Sequence, residues 1–375
     1  MEQHTVVENG EMNTIEVENP LVSLTQKLEA QNKAKYDMVV PAGHIKYVAG
    51  EMQVENVDTL FRVSETVDDQ ISEKLEIPRA YYRKMKSTYP ELLDTNVNSW
   101  LSKKTQTKYL LRTFQYPGAE SICRAMLSNS YNIIDHYDVL IAALEAIDAL
   151  GVHVEITKAT VTEKRMYLHV TCPEIQIEAD DLLKDYKGRE ELGRGNGIIS
   201  GLVIANSEVG CGGFEVAARA VIVKCTNGLL DREGKFRKVH LGAKLDTGVI
   251  EWNQNVKQKN YQLVIEQTKQ AVQTYLSKEY LGKQIAKLEA ANGFEVEHPT
   301  AVIERVGMEL NIPDTHRQAI LNRFIRGGQT SGAGIFNAVT RQAQDVDSDT
   351  AFEWESGVFQ MLPRLQSMDK PLSKN

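Results

Sequence analysis

The spacing of apolar residues changes several times along this chain, and each change marks a new element. After Pro20, helical spacing predicts a helix over residues 21–35. Residues 38–48 and 52–57 read as strand pieces around a turn at 41–43. Helical spacing returns over 67–101, with Pro78 opening a second helix after Ile77. Residues 107–114, bounded by Pro117-Gly118, read as a buried strand, and 122–134 as a strand or turn. Asp135 is placed to N-cap a helix over 136–150 that stops at Gly151. Alternating runs at 152–162 and 165–173 form the clearest hairpin pattern in the chain.

Beyond the hairpin lies a charged, poorly patterned segment, 178–194. Two strand candidates follow, 195–208 after a glycine-rich approach and 215–225. Asn227-Gly228 predicts a turn with left-handed backbone, and 235–242 reads as the last strand. Residues 249–291 read as one long helix or two end to end, closed by Asn292-Gly293. Shorter helices are expected at 299–310, 313–325 and 335–343, with a flexible loop at 327–334.

These elements predict an α+β fold. Its centre is a mixed or antiparallel sheet with a β-hairpin and packed helices, between a helical N-terminal module and a long C-terminal helix. The expected divisions are a disordered acidic tail (1–20), an N-terminal α+β module (21–115), a central α+β core (116–248), a helical region (249–345) and an acidic C-terminal segment (346–375).

Composition agrees with a folded chain: of 375 residues, 42% are hydrophobic and 25% charged, both ordinary for globular proteins. No stretch reaches the roughly 18 apolar residues of a membrane span. The N-terminus is acidic and has no apolar signal region. Cys123, Cys172, Cys211 and Cys225 form no CxxC pair, so the expected setting is the cytoplasm of a host cell, with reduced thiols.

Charge changes the picture locally. The net charge of −8 means that nucleic acid would have to be met by a patch. Such a patch exists at 219–244, where Arg219, Lys224, Arg232, Lys235, Arg237, Lys238 and Lys244 outnumber Asp231 and Glu233 for a net +5. The alternative reading of that run is a solvated face.

Catalytic patterns are sparse. There is no HExxH, CxxC pair or EF-hand loop, so no metal and no cofactor are expected; His153 and His169 could face each other across the hairpin. The glycines at 193, 195 and 197 match neither nucleotide-loop pattern and run into a strand. Cys211, among glycines, reads as a cysteine beside a tight turn. More informative are three strand ends that gather polar residues and glycine: Asn206-Ser207-Glu208-Val209-Gly210, Cys225-Thr226-Asn227-Gly228 and His240-Leu241-Gly242.

In these three motifs the chain resembles a phage/plasmid-like protein family of unknown function. Ile77-Pro78-Arg79-Ala80-Tyr81-Tyr82 and Asn96-Val97-Asn98-Ser99-Trp100-Leu101 resemble the family's opening helical segment. Leu111-Arg112-Thr113 and Leu127-Ser128-Asn129-Ser130-Tyr131 continue the likeness, although family members often have Arg where Asn129 stands. The resemblance covers about residues 60–345. It implies a bacteriophage, prophage or plasmid setting and brings no agreed activity.

The function expected from these features is single-stranded DNA binding or annealing, in recombination or replication. Arg219, Lys224, Arg232, Lys235, Arg237 and Lys238 would track phosphates, with Phe236, Tyr131 or Tyr167 as stacking surfaces. The order of elements is loosely similar to RecT/Erf-type annealing proteins, which is a likeness of fold only. Two alternatives stay open. One is a structural or interaction protein of the mobile element, self-associating as a homo-oligomer through the long helix. The other is a nucleotide- or nucleic-acid-processing enzyme with Glu208 and His240 as acid–base groups.

Overall fold

Two sheets organise the chain, and the computed structural model describes residues 2–8, 11–17, 19–187, 195–223, 227–232, 236–238, 247–249 and 254–371. The acidic N-terminal stretch, expected as a tail, pairs instead as an antiparallel hairpin, β1 (Glu2–Glu8) with β2 (Glu11–Val17). Its strands are rich in Thr, Val and Ile, and only Asn9-Gly10 separates them, a dipeptide favoured in two-residue connections. Next come α1 (Pro20–Ala34), β3 (Met38–Pro41), β4 (Ile45–Val48), β5 (Glu51–Val54) and β6 (Leu60–Val63). The N-terminal helical unit then divides into α2 (Glu65–Lys74), α3 (Arg79–Thr88), which Pro78 caps, and α4 (Pro90–Lys103). After it run β7 (Lys108–Phe114), β8 (Ile122–Ser128) and α5 (His136–Asp148).

The expected hairpin is present as β9 (Glu155–Val161) and β10 (Met166–Glu178), and short α6 (Asp180–Leu183) follows. Then come β11 (Gly197–Asn206), β12 (Phe214–Ile222), β13 (Asn227–Asp231), β14 (Arg237–Lys238) and β15 (Gly248–Val249). The C-terminal helices are α7 (Gln254–Tyr275), α8 (Lys278–Asn292), α9 (Pro299–Glu309), α10 (Asp314–Gly327), α11 (Gly332–Ala343), α12 (Ser348–Met361) and α13 (Leu365–Met368). The fold class is α+β.

The first sheet has the order β15-β3-β7-β8-β6-β5-β4, antiparallel except where β6 runs parallel to β8. Helices α2–α4 cover one face, and Phe61, Val67, Leu93 and Met126 meet in a shared core. The edge strand β4 does not present Tyr47 bare. Asn98 of α4 accepts a hydrogen bond from the Tyr47 amide (2.7 Å) and donates one to its carbonyl (2.8 Å), as a neighbouring strand would.

The second sheet has the antiparallel order β13-β12-β11-β10-β9, with β14 also paired to β12. Strand alternation sends Met166, Leu168, Leu202, Ile204, Val216 and Ala218 to one face, against α1, α5 and α7. It sends Tyr167, Val203, Ala205 and Ala217 to the other, against Phe352 of α12. Val264, Ile265, Ala271, Val272 and Tyr275 of α7, the start of the segment expected to self-associate, are buried within the chain against the second sheet.

Several local expectations need correction. Asn227 and Gly228 are the first residues of β13, paired with Ile222 and Val221, and Gly228 has no left-handed backbone. The 327–334 segment is an ordered connection. Gly328 takes φ +78° after α10, and buried Gln329 donates to the Leu182 carbonyl (2.8 Å) and Asn292 Oδ1 (2.9 Å). The acidic end contains α12, with Asp347 capping its Asp349 and Thr350 amides and Phe352, Trp354, Val358 and Phe359 turned inward.

Candidate functional site

The strand-end residues Asn206–Gly210 join the two sheets. Arg112 of β7 is fully buried, and its Nη2 meets Asp135 Oδ1 at 2.6 Å and Asp37 Oδ2 at 3.0 Å. Its Nη1 donates to the Glu208 carbonyl (3.2 Å), while Glu208 pairs through its carboxylate with Arg124 of β8. Lys35 adds a third cation by pairing with Asp135. Asp135 occupies the N-cap position of α5, but Arg112 and Lys35 hold its carboxylate and it makes no capping bond. Glu208 takes that task from outside the helix, accepting from the His136 amide. Asn206 completes the junction, donating to the Ile134 carbonyl (2.9 Å) and contacting His136 Nδ1 (3.0 Å).

This junction is built for rigidity. Burial alone would raise the Glu208 carboxyl, but Arg124 and Arg112, with the His136 backbone amide, hold it well below the usual carboxylate range. Burial depresses His136 to about 4, so its ring is neutral near neutrality. An ionised, paired Glu208 is poorly suited to shuttle protons there, and the partner expected for it, His240, lies outside the described residues. Ser207 fixes the next turn, donating to the Lys164 carbonyl (2.8 Å) and accepting from the Cys211 amide (2.9 Å). Tyr131, expected as a stacking surface, is turned inward and donates to the Ser207 carbonyl (3.0 Å). Gly210 follows with φ +81°.

The cationic window separates into different environments. Arg219 is only 8% exposed and points from β12 toward α12. Arg232 is held by Glu215 (2.9 Å) and Glu353 (3.1 Å) over the Phe352 ring. Phe236 packs edge-on against Tyr275, and Tyr167 bonds Asp349 (2.8 Å), so neither offers a free stacking face. Arg237 and Lys238 form the backbone pairs of β14 with Glu215 and Phe214. Lys224, Lys235, Lys244 and His240 lie outside the described residues. Among the described residues, therefore, the window does not line up as one solvent-facing groove.

Arg219 opens onto a cleft of about 470 Å³ between the second sheet and α12. That volume suits a small molecule. Lys158 of β9, His169 of β10, Arg219 of β12 and Glu355 of α12 all line it, beside an apolar wall that includes Ile199, Val221 and Phe352. Lys158 and His169 are register partners, and a bulge just beyond them turns Thr157 to the same side. In the adjacent row Thr171, Gly201 and Arg219 face one another, and Gly201 contributes no side chain there. Phe352 and Glu355, three residues apart on α12, face the sheet together. Ion pairs of Glu353 with Arg165 and Arg232 hold the helix in place, with the Tyr167–Asp349 bond beside them.

The electrostatics of the cleft are unusual for a buried space. Among the described residues, the side chains of Lys158, His169, Arg219 and Glu355 make no hydrogen bond and no ion pair within 4 Å, and Arg219 Nε is buried without a partner. Burial raises Glu355 to about 6, against the pull of Arg219 and Lys158. Burial, with Arg219 and Lys158 adding to it, holds His169 well below its ordinary value and therefore neutral. His169 sits opposite Lys158, not His153, and among the described residues no three His, Cys, Asp or Glu side chains gather as metal ligands. Of the four cleft residues, Arg219 and His169 stood out in the sequence, and Lys158 and Glu355 did not. Glu355 had a signal: it stands in the inward stripe of α12 that also carries Phe352, Val358 and Phe359.

Comparisons with protein-family models, curated proteins and solved structures give no match for this chain.

Proposed function

We propose that this chain binds a small anionic molecule in the cleft between the second sheet and α12, with Arg219 as its anchor. One observation carries the reading: four ionisable side chains share this cleft with no partner among the described residues. Arg219 and Glu355 are buried, and since buried polar groups are nearly always satisfied, leaving these two without partners marks a place for a ligand. Arg219 presents a planar fork suited to carboxylate or phosphate, and Lys158, exposed near the rim, adds attraction on entry. Ile199, Val221 and Phe352 would cover an apolar part of the same molecule.

The single-stranded DNA reading loses support in this arrangement. Arg219 faces the cleft, and two carboxylates already neutralise Arg232. One experiment separates the two readings. Inorganic phosphate and benzoate are titrated calorimetrically at constant ionic strength, and a labelled oligonucleotide is followed by anisotropy, with wild type and Arg219→Met. Small-anion binding that weakens roughly a hundredfold in the variant, a loss of about 3 kcal/mol, is the expected result. No response to small anions, with oligonucleotide binding indifferent to Arg219, would overturn it.

A further inference from the structure

Glu355 is out of place in a cleft meant simply to attract negative charge. It is 6% exposed, it comes from the helix that roofs the cleft, and its carboxyl faces the same space as Arg219. An oxyanion seated on Arg219 would bring its oxygens into the space that the Glu355 carboxyl faces. Two ionised oxyanions side by side in a water-poor cavity repel strongly. A proton placed between them converts that repulsion into a charge-assisted hydrogen bond.

We infer that Glu355 makes the cleft selective for an oxyanion that shares a proton with it, that is, hydrogen phosphate in preference to sulfate. This inference rests on the anion-binding reading of the cleft. Inorganic phosphate keeps at least one proton at neutral pH and can donate it to the Glu355 carboxylate. Sulfate is fully ionised and can bind well only when Glu355 itself carries the proton. Every other group facing Glu355 is consistent with that division. Arg219 is a cation, as is Lys158 on β9, and His169 on β10 is neutral, with an N–H that either anion could accept. Glu155, also on β9, is exposed at the edge of the cleft, and Asp347 at the start of α12 acts on Lys158.

The test is calorimetric titration of the full chain and of Glu355→Gln with sodium phosphate and with sodium sulfate, near pH 7.5 and near pH 5.5. Wild type is expected to bind phosphate at least about tenfold more tightly than sulfate near pH 7.5, and the gap narrows near pH 5.5 as Glu355 gains its proton. In Glu355→Gln, whose amide can donate to either anion, the gap closes at both values. A wild type that binds the two anions alike near pH 7.5, or a variant that keeps the preference, overturns the inference and leaves the anion site standing. Failure of wild type to bind either anion overturns both. Phenyl phosphate tells a free phosphate from the phosphate of an ester, because its dianion has no proton to share near pH 7.5. Like sulfate, it is expected there to bind Glu355→Gln more tightly than wild type, and tighter binding to wild type overturns the inference.

Discussion

The guanidinium of Arg219 occupies the space where a side chain at residue 228 would begin. A β-carbon built on Gly228 would stand 2.7 Å from Arg219 Nε and 2.8 Å from Cζ, distances at which one of the two must move. Gly228 is therefore glycine because a neighbouring cation needs its surface, not because the backbone turns there. Gly228→Ala is expected to displace the guanidinium, weaken phosphate binding by about tenfold or more, and cost about 1–3 kcal/mol of stability. Calorimetry and urea denaturation of the same variant measure both effects. Unchanged phosphate affinity would show that the seat of Arg219 is irrelevant to binding.

The junction of the two sheets carries a different liability. Arg112, Arg124 and Lys35 face Asp37, Asp135 and Glu208 in a buried set of three cations and three anions. Removing one member strands its partners in a medium that solvates them poorly. Glu208→Ala is expected to lower the unfolding free energy by about 3–5 kcal/mol. Glu208→Gln, which keeps an acceptor for the His136 amide, should lose less. Urea midpoints compared at unchanged slope check the order. Equal midpoints in wild type and Glu208→Ala would mean that the network contributes nothing net.

Local pattern was legible, and distant assembly was not. The 152–173 hairpin, Pro78 at the start of a helix and the helix after Asp135 follow from spacing and capping rules that act within a few residues. Asn227-Gly228 misled because the same dipeptide serves a turn or a close approach, and the deciding neighbour, Arg219, lies on the paired strand. The acidic segment 346–375 hid α12 because its overall charge obscured an inward stripe. The cleft draws its polar residues from β9, β10, β12 and α12, so no local motif contains them together. Arg219, a cation within an apolar strand, was visible; that it faces a cavity and not solvent depended on a helix more than a hundred residues away.

Stability should also report on Glu355. Its carboxyl is raised to about 6 from an ordinary value of 4.5, so the folded chain binds this proton more tightly than the unfolded one. The contribution favours folding below about pH 4.5 and is lost as pH rises through about 6. Above that point the ionised, unpartnered group costs about 2 kcal/mol relative to an exposed one. Glu355→Gln is therefore expected to be more stable than wild type near pH 7.5, with the advantage shrinking toward pH 4.5. Denaturation curves for both proteins at several pH values isolate this residue, since the other carboxyls are common to both. A difference independent of pH would exclude titration of Glu355 as its source.

The edge of the first sheet offers a test in which affinity plays no part. Asn98 supplies the Tyr47 backbone with both a donor and an acceptor, and Asp94 accepts from the Ala49 (2.6 Å) and Gly50 (3.0 Å) amides in the adjoining turn. Without the amide of Asn98, the Tyr47 N–H and carbonyl lose those partners on a strand that ends the sheet. Such an edge is a template for pairing with another chain. Asn98→Ala is expected to cost about 1–3 kcal/mol and to raise the tendency to associate. Asn98→Asp, which keeps the acceptor and loses the donor, should fall between. Urea denaturation with light scattering at several protein concentrations follows both consequences. A variant as stable and as monodisperse as wild type would show that water replaces the side chain at no cost.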